Sequence, residues 1–396
     1  MTSDVPGPLD GVKVLDFTQV FMGPSATQLL GDYGADVTKV ERPGTGDLSR
    51  TALPDADGLD GPIFLAINRN KRSVAVDMKS DRGRELIREL VVRADVLVSN
   101  FRPGVMEKMG LGYDAVRLLN PRLIWASGSG FGEDGPYVGK GGQDVIAQAY
   151  SGLIARRADS SLPLSVYPTA LCDYTTGMHL VQGILMALFA RERTGQGQMV
   201  RVNMFSSALH LQMQEAATRL NRGHEVNWAE MPLSGVFPTA DGAICLVGAF
   251  KENPLRDICS ALGLQDLSQL DEFATIESQF ENKRELQALL RERLLTATTR
   301  HWVARLEAVD ILCAPVQTLS EALDDEQARA NQMITTMPHA RGGDVKVLNP
   351  PITLSETPFS IRQRAPRLGE HNAEVLREIG WSEDDIARAT AEDAVR

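Results

Sequence analysis

The sequence has 396 residues, of which 43% are hydrophobic, and acidic residues outnumber basic ones by 52 to 41. A chain of this length can bury a large core and is typical of two or three domains. The formal net charge of −11 argues against general binding to nucleic acids or anionic membranes, which requires a basic surface. A local basic pocket for an anionic ligand remains compatible with this composition.

The patterns of cysteine, histidine and hydropathy exclude further classes of protein. The cysteines lie far apart without a CxxC pair, and the six histidines show no metal-ligand spacing, so neither a disulfide framework nor a metal site is predicted. The start, MTSDVPGPLDG, lacks a signal-peptide pattern. The longest apolar stretch, Leu180–Ala190, is shorter than the roughly 20 residues that cross a bilayer. We therefore expect a cytoplasmic protein.

The first half of the chain alternates strand and helix patterns. Short apolar runs separated by segments with helical spacing predict βαβ units and a parallel sheet. The predicted strands are 12–17, 35–42, 73–78, 95–100 and 122–130. Ligands of such sheets bind beyond the carboxyl ends of the strands. The candidate site is therefore formed by the loops that follow Phe17, Arg42, Met78, Asn100 and Gly130.

The remaining patterns predict a division into domains. Helical patterns cover 144–157 and 175–193, a strand covers 198–204, and a hairpin is predicted over 236–249, around Asp241-Gly242. We predict an α/β protein with a large Rossmann-like parallel-sheet domain and a smaller α+β domain. The predicted bounds are 1–225 for the first part of the large domain, with a linker helix at 205–222, then 226–325 for the small domain and 326–396 for a Pro-rich, extended return arm with a short final helix.

Several familiar ligand-binding motifs are missing from the sequence. The first strand–helix loop, FTQVFMGP, has a single glycine, Gly23, which disfavours a nicotinamide dehydrogenase. The sequence also has no G-x-x-x-x-G-K-[ST], H-E-x-x-H or G-x-S-x-G motif.

Basic residues recur near the predicted strand ends. Each one alone is typical of a solvated surface, but several cations in one cleft suit a polyphosphorylated ligand such as a nucleotide or coenzyme A. These residues are Lys39, Arg42, Lys71, Arg72, Lys79, Arg102, Lys108 and Lys140.

Asp173 lies just before a long apolar helix, in the segment TALCDYTTGMHL. Its position is compatible with a helix N-cap, which accepts backbone N–H groups. On position alone the cap is the favoured interpretation, and the alternative is an ionised carboxylate that acts as a nucleophile near a helix N-terminus. His179 falls on a different face of the predicted helix, and Cys172 fits a small buried side chain.

Long segments of the chain resemble the class III CoA-transferase family, which includes formyl-CoA transferase, carnitine CoA-transferase and α-methylacyl-CoA racemase. The resemblance runs from about residue 7 to the closing RLGEHNAEVL. Its motifs are GPLDGVKVLDFT, LLGDYGADVTKVERPGTGD, NRNKRSVAVDMKS, ADVLVSNFRPGVMEKMGLGYD, NPRLIWASGSGFGEDGPY and CDYTTGMHLVQGILMALFARERTGQGQMVRVNM.

The resemblance implies an interlocked homodimer whose large domain is built from both ends of the chain. It implies that CoA or acyl-CoA binds as a substrate, without a tightly bound cofactor, and that Asp173 is the catalytic aspartate. The CoA-contacting positions that it implies are Arg42, Val76, Lys79, Asn100, Phe101, Arg102 and Lys108.

Three positions depart from relatives of this family. Phe21 stands where formyl-CoA transferase has Gln, and the segment 223–235 lacks that enzyme's run of glycines. Both departures argue against formyl-CoA and oxalate as the substrates. Gln143 stands where the racemase branch has a His base, and an amide cannot exchange a proton at neutral pH.

The predicted function is CoA transfer from an acyl-CoA donor to a free carboxylic acid, through a covalent aspartyl-CoA thioester on Asp173. The amides near Gly128, Gly130 and Gly132 are candidates for oxyanion stabilisation. Two alternatives stay open: an α-methylacyl-CoA racemase or related isomerase, and an inactive CoA-binding paralogue in which Asp173 only caps its helix.

Overall fold

The computed structural model describes residues 5–53, 61–157 and 161–395. The chain divides into two compact units. The larger unit consists of Met1–Leu153, Val166–Gln212 and Arg329–Arg396, and the smaller unit of Ile154–Ser165 and Met213–Ala328. The units thus divide after Gln212 and Ala328, whereas the sequence predicts boundaries after residues 225 and 325.

The larger unit contains a six-stranded sheet in which all neighbouring strands are parallel. Its strands are β1 (Lys13–Asp16), β2 (Asp36–Glu41), β3 (Lys71–Ala75), β4 (Val96–Ser99), β5 (Ile124–Ser129) and β6 (Met199–Asn203). Their order, β3-β2-β1-β4-β5-β6, is the Rossmann order. The predicted α/β class with a Rossmann-like parallel sheet is therefore confirmed.

Helices join these strands, as the helical spacing of the intervening segments predicts. They are α1 (Met22–Asp32), α2 (Pro62–Ile67), α3 (Asp81–Arg93), α4 (Val105–Lys108), α5 (Tyr113–Leu119), α6 (Asp144–Tyr150), α7 (Leu171–Thr194) and α8 (Met204–Leu211). Helix α3 begins where the Ser80 hydroxyl accepts the Gly83 N–H, and α7 ends at Gly195, whose φ of 70° suits glycine.

Both faces of the sheet are buried, which explains why apolar residues occupy consecutive positions in the central strands β1 and β4. On one face, Leu15 and Leu97 pack with helix α3 and with a helix of the returning chain that contains Leu376. On the other face, Val96 packs with α1 and with Ile184 of α7.

The smaller unit has a three-stranded antiparallel sheet with the order β7-β8-β9. Its elements are α9 (Met213–Arg222), β7 (Ser234–Pro238), β8 (Ala243–Val247), α10 (Pro254–Leu262), α11 (Ile276–Glu281), α12 (Lys283–Leu294), α13 (Thr299–Glu307), β9 (Leu312–Pro315) and α14 (Leu319–Asp324). The hairpin predicted around Asp241-Gly242 is confirmed by β7 and β8. A fully buried Trp302 packs in the core of this unit.

The predicted continuous linker helix at 205–222 is wrong, because the helix breaks at Gln212 between α8 and α9. The backbone N–H of Gln212 donates a hydrogen bond to the carbonyl of Leu209, whereas in a continuous α-helix it would donate to that of Ala208. The side-chain amide of Gln212 then takes the Ala208 carbonyl at 3.0 Å and that of Ser151 at 2.9 Å.

The closing segment is also more structured than the sequence predicts. After α15 (Glu326–Ala330), it forms a hairpin of β10 (Ile334–Pro338) and β11 (Asp344–Leu348), then helices α16 (Asn372–Glu378) and α17 (Glu383–Ala391). The prediction of an extended arm with one final helix missed the Gly342-Gly343 pair, whose φ values of 97° and 78° allow the hairpin turn.

Candidate functional site

The strand order reverses between β1 and β4, and ligands of doubly wound sheets bind beyond the strand ends at such a point. Two cavities lie there, both within the larger unit. The first, of about 530 Å³, is lined by residues that follow β1, β4, β5 and β6, and by Asp173. The second, of about 650 Å³, is lined by residues that follow β1, β2, β3 and β4. The loops predicted to form the site therefore line these two cavities.

The first cavity brings Asp173 together with three of the predicted CoA-contacting residues, Asn100, Phe101 and Arg102. Two of the three positions that depart from the resembled family, Phe21 and Gln143, line it as well. Much of the remaining wall is apolar. Its apolar side chains include Val20, Met22, Leu48, Phe131, Val138, Val145 and Met204.

Asp173 lies in the first turn of α7, but it is not the cap of that helix. The N-cap position is Ala170, and the cap is supplied by Asp144 from the start of α6. The Oδ2 atom of Asp144 accepts the backbone N–H groups of Cys172 at 2.7 Å and of Asp173 at 3.0 Å. The hypothesis that Asp173 serves only as a helix cap is therefore wrong, and its carboxylate is free to face the cavity.

The surroundings of Asp173 raise its pKa to about 6, well above that of a free aspartate. Burial of the carboxyl is the main cause, and the negative charge of Asp144 adds to it. The ionised form is therefore more basic than an ordinary aspartate and still predominates at neutral pH. Those are the properties of a carboxylate nucleophile.

We expect the activity that depends on ionised Asp173 to rise with pH through about pH 6. Because Asp144 raises the pKa of Asp173, Asp144→Asn should move this acid limb to lower pH. The asparagine keeps one oxygen that can accept the N–H groups at the start of α7. The measurement is kcat/KM against pH for the two proteins. Asp134→Asn, which removes an equal charge from an exposed loop, serves as the control. An acid limb that does not move in Asp144→Asn would contradict the electrostatic link.

The second cavity contains five of the predicted CoA-contacting residues. They are Arg42, Val76, Lys79, Phe101 and Lys108. Arg42, Lys79 and Lys108 are exposed, and no acidic side chain in the described ranges forms an ion pair with any of them. Unpaired cations around one cavity suit the phosphates of a nucleotide. Gln19 and Phe101 line both cavities, so the cation-rich cavity adjoins the one that contains Asp173.

Three other basic residues do not contribute to this cleft, which corrects the sequence-based expectation. The ammonium of Lys39 is buried beside Asp47 at 2.8 Å, and that of Lys71 is buried beside Asp16 at 3.1 Å. Arg72 pairs with Asp36 at 2.7 Å. Lys71 and Arg72 begin β3, and Lys39 lies inside β2, so none of them belongs to a loop at the carboxyl edge.

The remaining predicted cation, Lys140, lies at the first cavity, and its ammonium donates to the hydroxyl of Tyr150. Of the glycines proposed for oxyanion stabilisation, Gly130 and Gly132 line the cavity. Gly128 is an interior residue of β5, and the N–H of Gly132 already donates to Ser129 Oγ at 3.0 Å.

Sequence reasoning missed Asp144, Gln19 and Arg84. Asp144 begins the predicted helix 144–157, but its contact with residues 172 and 173 depends on tertiary structure. Gln19 lies in the loop after Phe17, which was predicted to form the site, so its position in that loop could have identified it as a candidate. Arg84 lines the second cavity from the first turn of α3, a place where the strand–helix pattern gives no signal.

Within residues 5–53, 61–157 and 161–395, no three metal-binding side chains come together in a cluster. In the same ranges, no helix is long and apolar enough to cross a membrane.

Nearly the whole chain is similar to known proteins of one family. The family model for CoA-transferase family III matches residues 9–372. A formyl-CoA:oxalate CoA-transferase from Streptomyces avermitilis is 35% identical, with 96% of this chain and 97% of that protein covered. A succinyl-CoA:glutarate CoA-transferase from Mus musculus is 34% identical, with 94% and 86% covered. The crystal structure of a CaiB/BaiF family protein from Brucella suis superposes with a TM-score of 0.85 and 32% identity, over 94% of this chain and 100% of that one.

Proposed function

Because the chain belongs to CoA-transferase family III and is a CoA-transferase, we propose that it transfers CoA through a covalent thioester on Asp173. The observation that carries the proposal is the neighbourhood of Asp173. Its carboxylate, with a pKa raised to about 6, lines a cavity that adjoins a second cavity, where three exposed cations form no ion pair with any described acidic residue. A nucleotide in the second cavity would leave the thioester end of CoA near Asp173.

The first half of the reaction loads CoA onto the enzyme. A carboxylate oxygen of Asp173 attacks the thioester carbonyl of the donor, and the C–S bond breaks to give a mixed anhydride and the CoA thiolate. The thiolate then attacks the side-chain carbonyl carbon of Asp173. The anhydride C–O bond breaks, the donor acid leaves as a carboxylate, and an aspartyl-CoA thioester remains.

The second half passes CoA to the acceptor. The acceptor carboxylate attacks the carbonyl carbon of the aspartyl thioester. The C–S bond breaks, which releases the thiolate and leaves a second mixed anhydride between Asp173 and the acceptor. The thiolate attacks the acceptor's carbonyl carbon, so that acceptor acyl-CoA leaves and the Asp173 carboxylate is restored. Each step needs the thiolate to stay close, which firm binding of the rest of CoA provides.

The residues that line the two cavities are proposed to bind the rest of CoA. We propose that Arg42, Lys79 and Lys108 bind the phosphates, since they are exposed cations on one cavity. Val76 and Phe101 offer apolar surface to the nucleotide. Asn100, Phe101 and Arg102 line the cavity that contains Asp173, and Phe101 lines the second cavity as well.

The acceptor that we propose is a small carboxylic acid other than oxalate. The named relatives use oxalate and glutarate, respectively. Oxalate has a carboxylate at each end and needs polar partners throughout, whereas Phe21 and Met22 give this cavity an apolar wall. A screen of acyl-CoA donors against small acids, with products measured by mass spectrometry, identifies the pair.

We propose that the enzyme is an interlocked homodimer, as its family resemblance implies. Helix α7 supports association because it carries large apolar side chains that are open to solvent in the single chain. Met186 and Phe189 are 67% and 66% exposed, respectively. Exposed apolar patches of this kind mark interaction surfaces.

The racemase alternative gains no support from the cavity. Gln143 lies in it with Asp173, and an amide cannot act as the second base that the racemase reaction needs.

The covalent mechanism is tested by supplying an acyl-CoA without an acceptor acid. We expect the intact mass of the protein to increase by that of CoA less one water, with the modification on the peptide that contains Cys172-Asp173-Tyr174. Free CoA is the control, because it carries no activated acyl group and should leave the protein unmodified. Turnover of donor and acceptor with no such adduct, even after rapid quenching, would overturn the mechanism.

A further inference from the structure

The loop between β1 and α1 contains a strained residue at the site. Val20 has a φ of 68°, in the left-handed region that β-branched residues rarely adopt. Such a conformation is unfavourable and persists only where the surrounding structure enforces it. Among the non-glycine residues with positive φ in the described ranges, Val20 alone is β-branched.

The side chain of Val20 does not pack in the core. It is 41% exposed and lines the cavity that contains Asp173. Burial of this side chain therefore gives little compensation for the strained backbone in the free protein. A ligand that covers the valine would supply the missing apolar contact.

A buried ion pair holds Val20 in this conformation. The backbone N–H of Val20 donates to Asp47 Oδ1 at 3.0 Å, and Asp47 pairs with Lys39 at 2.8 Å. The ammonium of Lys39 also donates to the carbonyl of Thr18 at 2.7 Å. Both charged side chains are fully buried, so their positions are fixed by the interior of the protein.

Asn100 holds the backbone of Gln19, which lies between Thr18 and Val20. Its Oδ1 accepts the N–H of Gln19 at 2.8 Å, and its Nδ2 donates to the Gln19 carbonyl at 2.7 Å. The backbones of Thr18, Gln19 and Val20 are thus each held by a side chain from another part of the larger unit. A loop that is ordered before binding loses less entropy when the ligand arrives.

We propose that Val20 is a contact for the apolar part of acyl-CoA beside Asp173, and that Asp47 is the positioning residue that presents it. The inference rests on the proposed function, because that function supplies the acyl-CoA. The apolar part is either the pantetheine arm or the acyl chain.

The test compares Val20→Gly with Val20→Ile by calorimetric titration. The ligands are CoA and its unreactive thioether, S-pentyl-CoA. Glycine adopts a positive φ freely, so Val20→Gly should keep or raise Tm while weakening S-pentyl-CoA binding by about tenfold. Val20→Ile keeps the β-branch and the apolar surface and should retain most of the affinity.

Leu53→Gly is the matched control. Leu53 also has a positive φ, of 55°, and is 70% exposed, but it lines neither of the two cavities. Its replacement should leave the affinity for both ligands unchanged.

The outcomes distinguish the pantetheine arm from the acyl chain as the group that Val20 contacts. They also distinguish failure of this inference from failure of the proposed function. Weaker binding of both ligands by Val20→Gly assigns the contact to the pantetheine arm, and weaker binding of S-pentyl-CoA alone assigns it to the acyl chain. Wild-type affinity for both ligands in Val20→Gly overturns the inference and leaves the proposed function standing. Failure of the wild-type protein to bind either ligand overturns both.

The role of Asp47 has its own readout, because Asp47→Asn leaves Lys39 buried without its partner and is at risk of not folding. Amide hydrogen exchange of the wild-type protein avoids this risk. We expect slow exchange in the peptide that contains residues 17–22, since Asp47 and Asn100 accept N–H groups from it. Exchange at the rate of an unprotected loop would refute the positioning role. If Asp47→Asn folds, it should weaken S-pentyl-CoA binding as Val20→Gly does, and unchanged affinity would refute the role as well.

Discussion

Asp173→Asn is expected to lower kcat for CoA transfer by at least about 10³-fold, because an amide is a poor nucleophile and cannot form the anhydride. The protein should still fold normally. The cap of α7 comes from Asp144, whose bonds to the backbone of residues 172 and 173 do not involve the Asp173 side chain. Loss of the Asp173 charge also removes its repulsion with Asp144. We therefore expect Tm to stay the same or to rise, which is measured by circular dichroism alongside the transfer assay.

Asp114→Asn is the matched control for this variant. Asp114 occupies the first turn of α5, as Asp173 occupies the first turn of α7, but it is exposed and lines neither cavity. Its replacement should leave transfer unchanged. Substantial transfer by Asp173→Asn, in protein shown by mass spectrometry to be free of deamidation, would rule out Asp173 as the nucleophile.

Asp16→Ala is expected to lower the free energy of unfolding by about 3–5 kcal/mol, because it leaves the buried ammonium of Lys71 without its carboxylate partner. Asp16 and Lys71 are both fully buried and lie 3.1 Å apart. Asp16 also accepts hydrogen bonds from Thr18 and from the Thr27 hydroxyl, which is 2.7 Å away. The measurement is urea unfolding followed by circular dichroism.

The double variant Asp16→Ala/Lys71→Met is the control that isolates the charge. It removes the orphaned ammonium and should recover part of the lost stability, since apolar residues often replace buried ion pairs at little cost. The exposed pair of Asp81 with Arg84 gives the comparison at the surface, where Asp81→Asn should have little effect on stability. A loss of stability by Asp16→Ala no larger than that of Asp81→Asn would contradict the assignment.

The pKa of Asp16 adds a pH dependence to this contribution. Burial alone would raise the pKa, but the attraction of Lys71 and Lys39, together with the hydrogen bonds from the two threonines, outweighs burial and lowers it to about 2. A carboxyl whose pKa is lower in the folded than in the unfolded protein stabilises the fold when ionised. The stabilisation is therefore complete above pH 4 or so and declines as the pH falls toward 2.

The strands of the sheet follow from the sequence because their signal is local. β1, β2, β4 and β5 lie within the predicted strands, and the alternation with helices was enough to predict a parallel sheet. The same alternation located the loops that form the candidate site, since the carboxyl ends of parallel strands share one edge. The importance of Asp173, by contrast, rested on resemblance, because position alone favoured a helix cap.

Which charges meet a ligand and which are buried depends on tertiary structure. Lys39 and Arg42 lie three residues apart in one segment, yet Lys39 is buried against Asp47 and Arg42 is exposed at a cavity. The cap of α7 by Asp144 likewise joins residues that are far apart in sequence. Hydropathy periods report only the face on which a residue lies, whereas an ion pair or a cap requires two distant segments to come together. The sequence by itself therefore determined the α/β class, the ligand-binding edge and the positions of most strands, although β3 begins at Lys71 and ends at Ala75 rather than covering 73–78. Only the tertiary structure decided the partner of each charge, the break at Gln212 and the strained conformation of Val20, because each of these arises from contacts between elements that are remote along the chain.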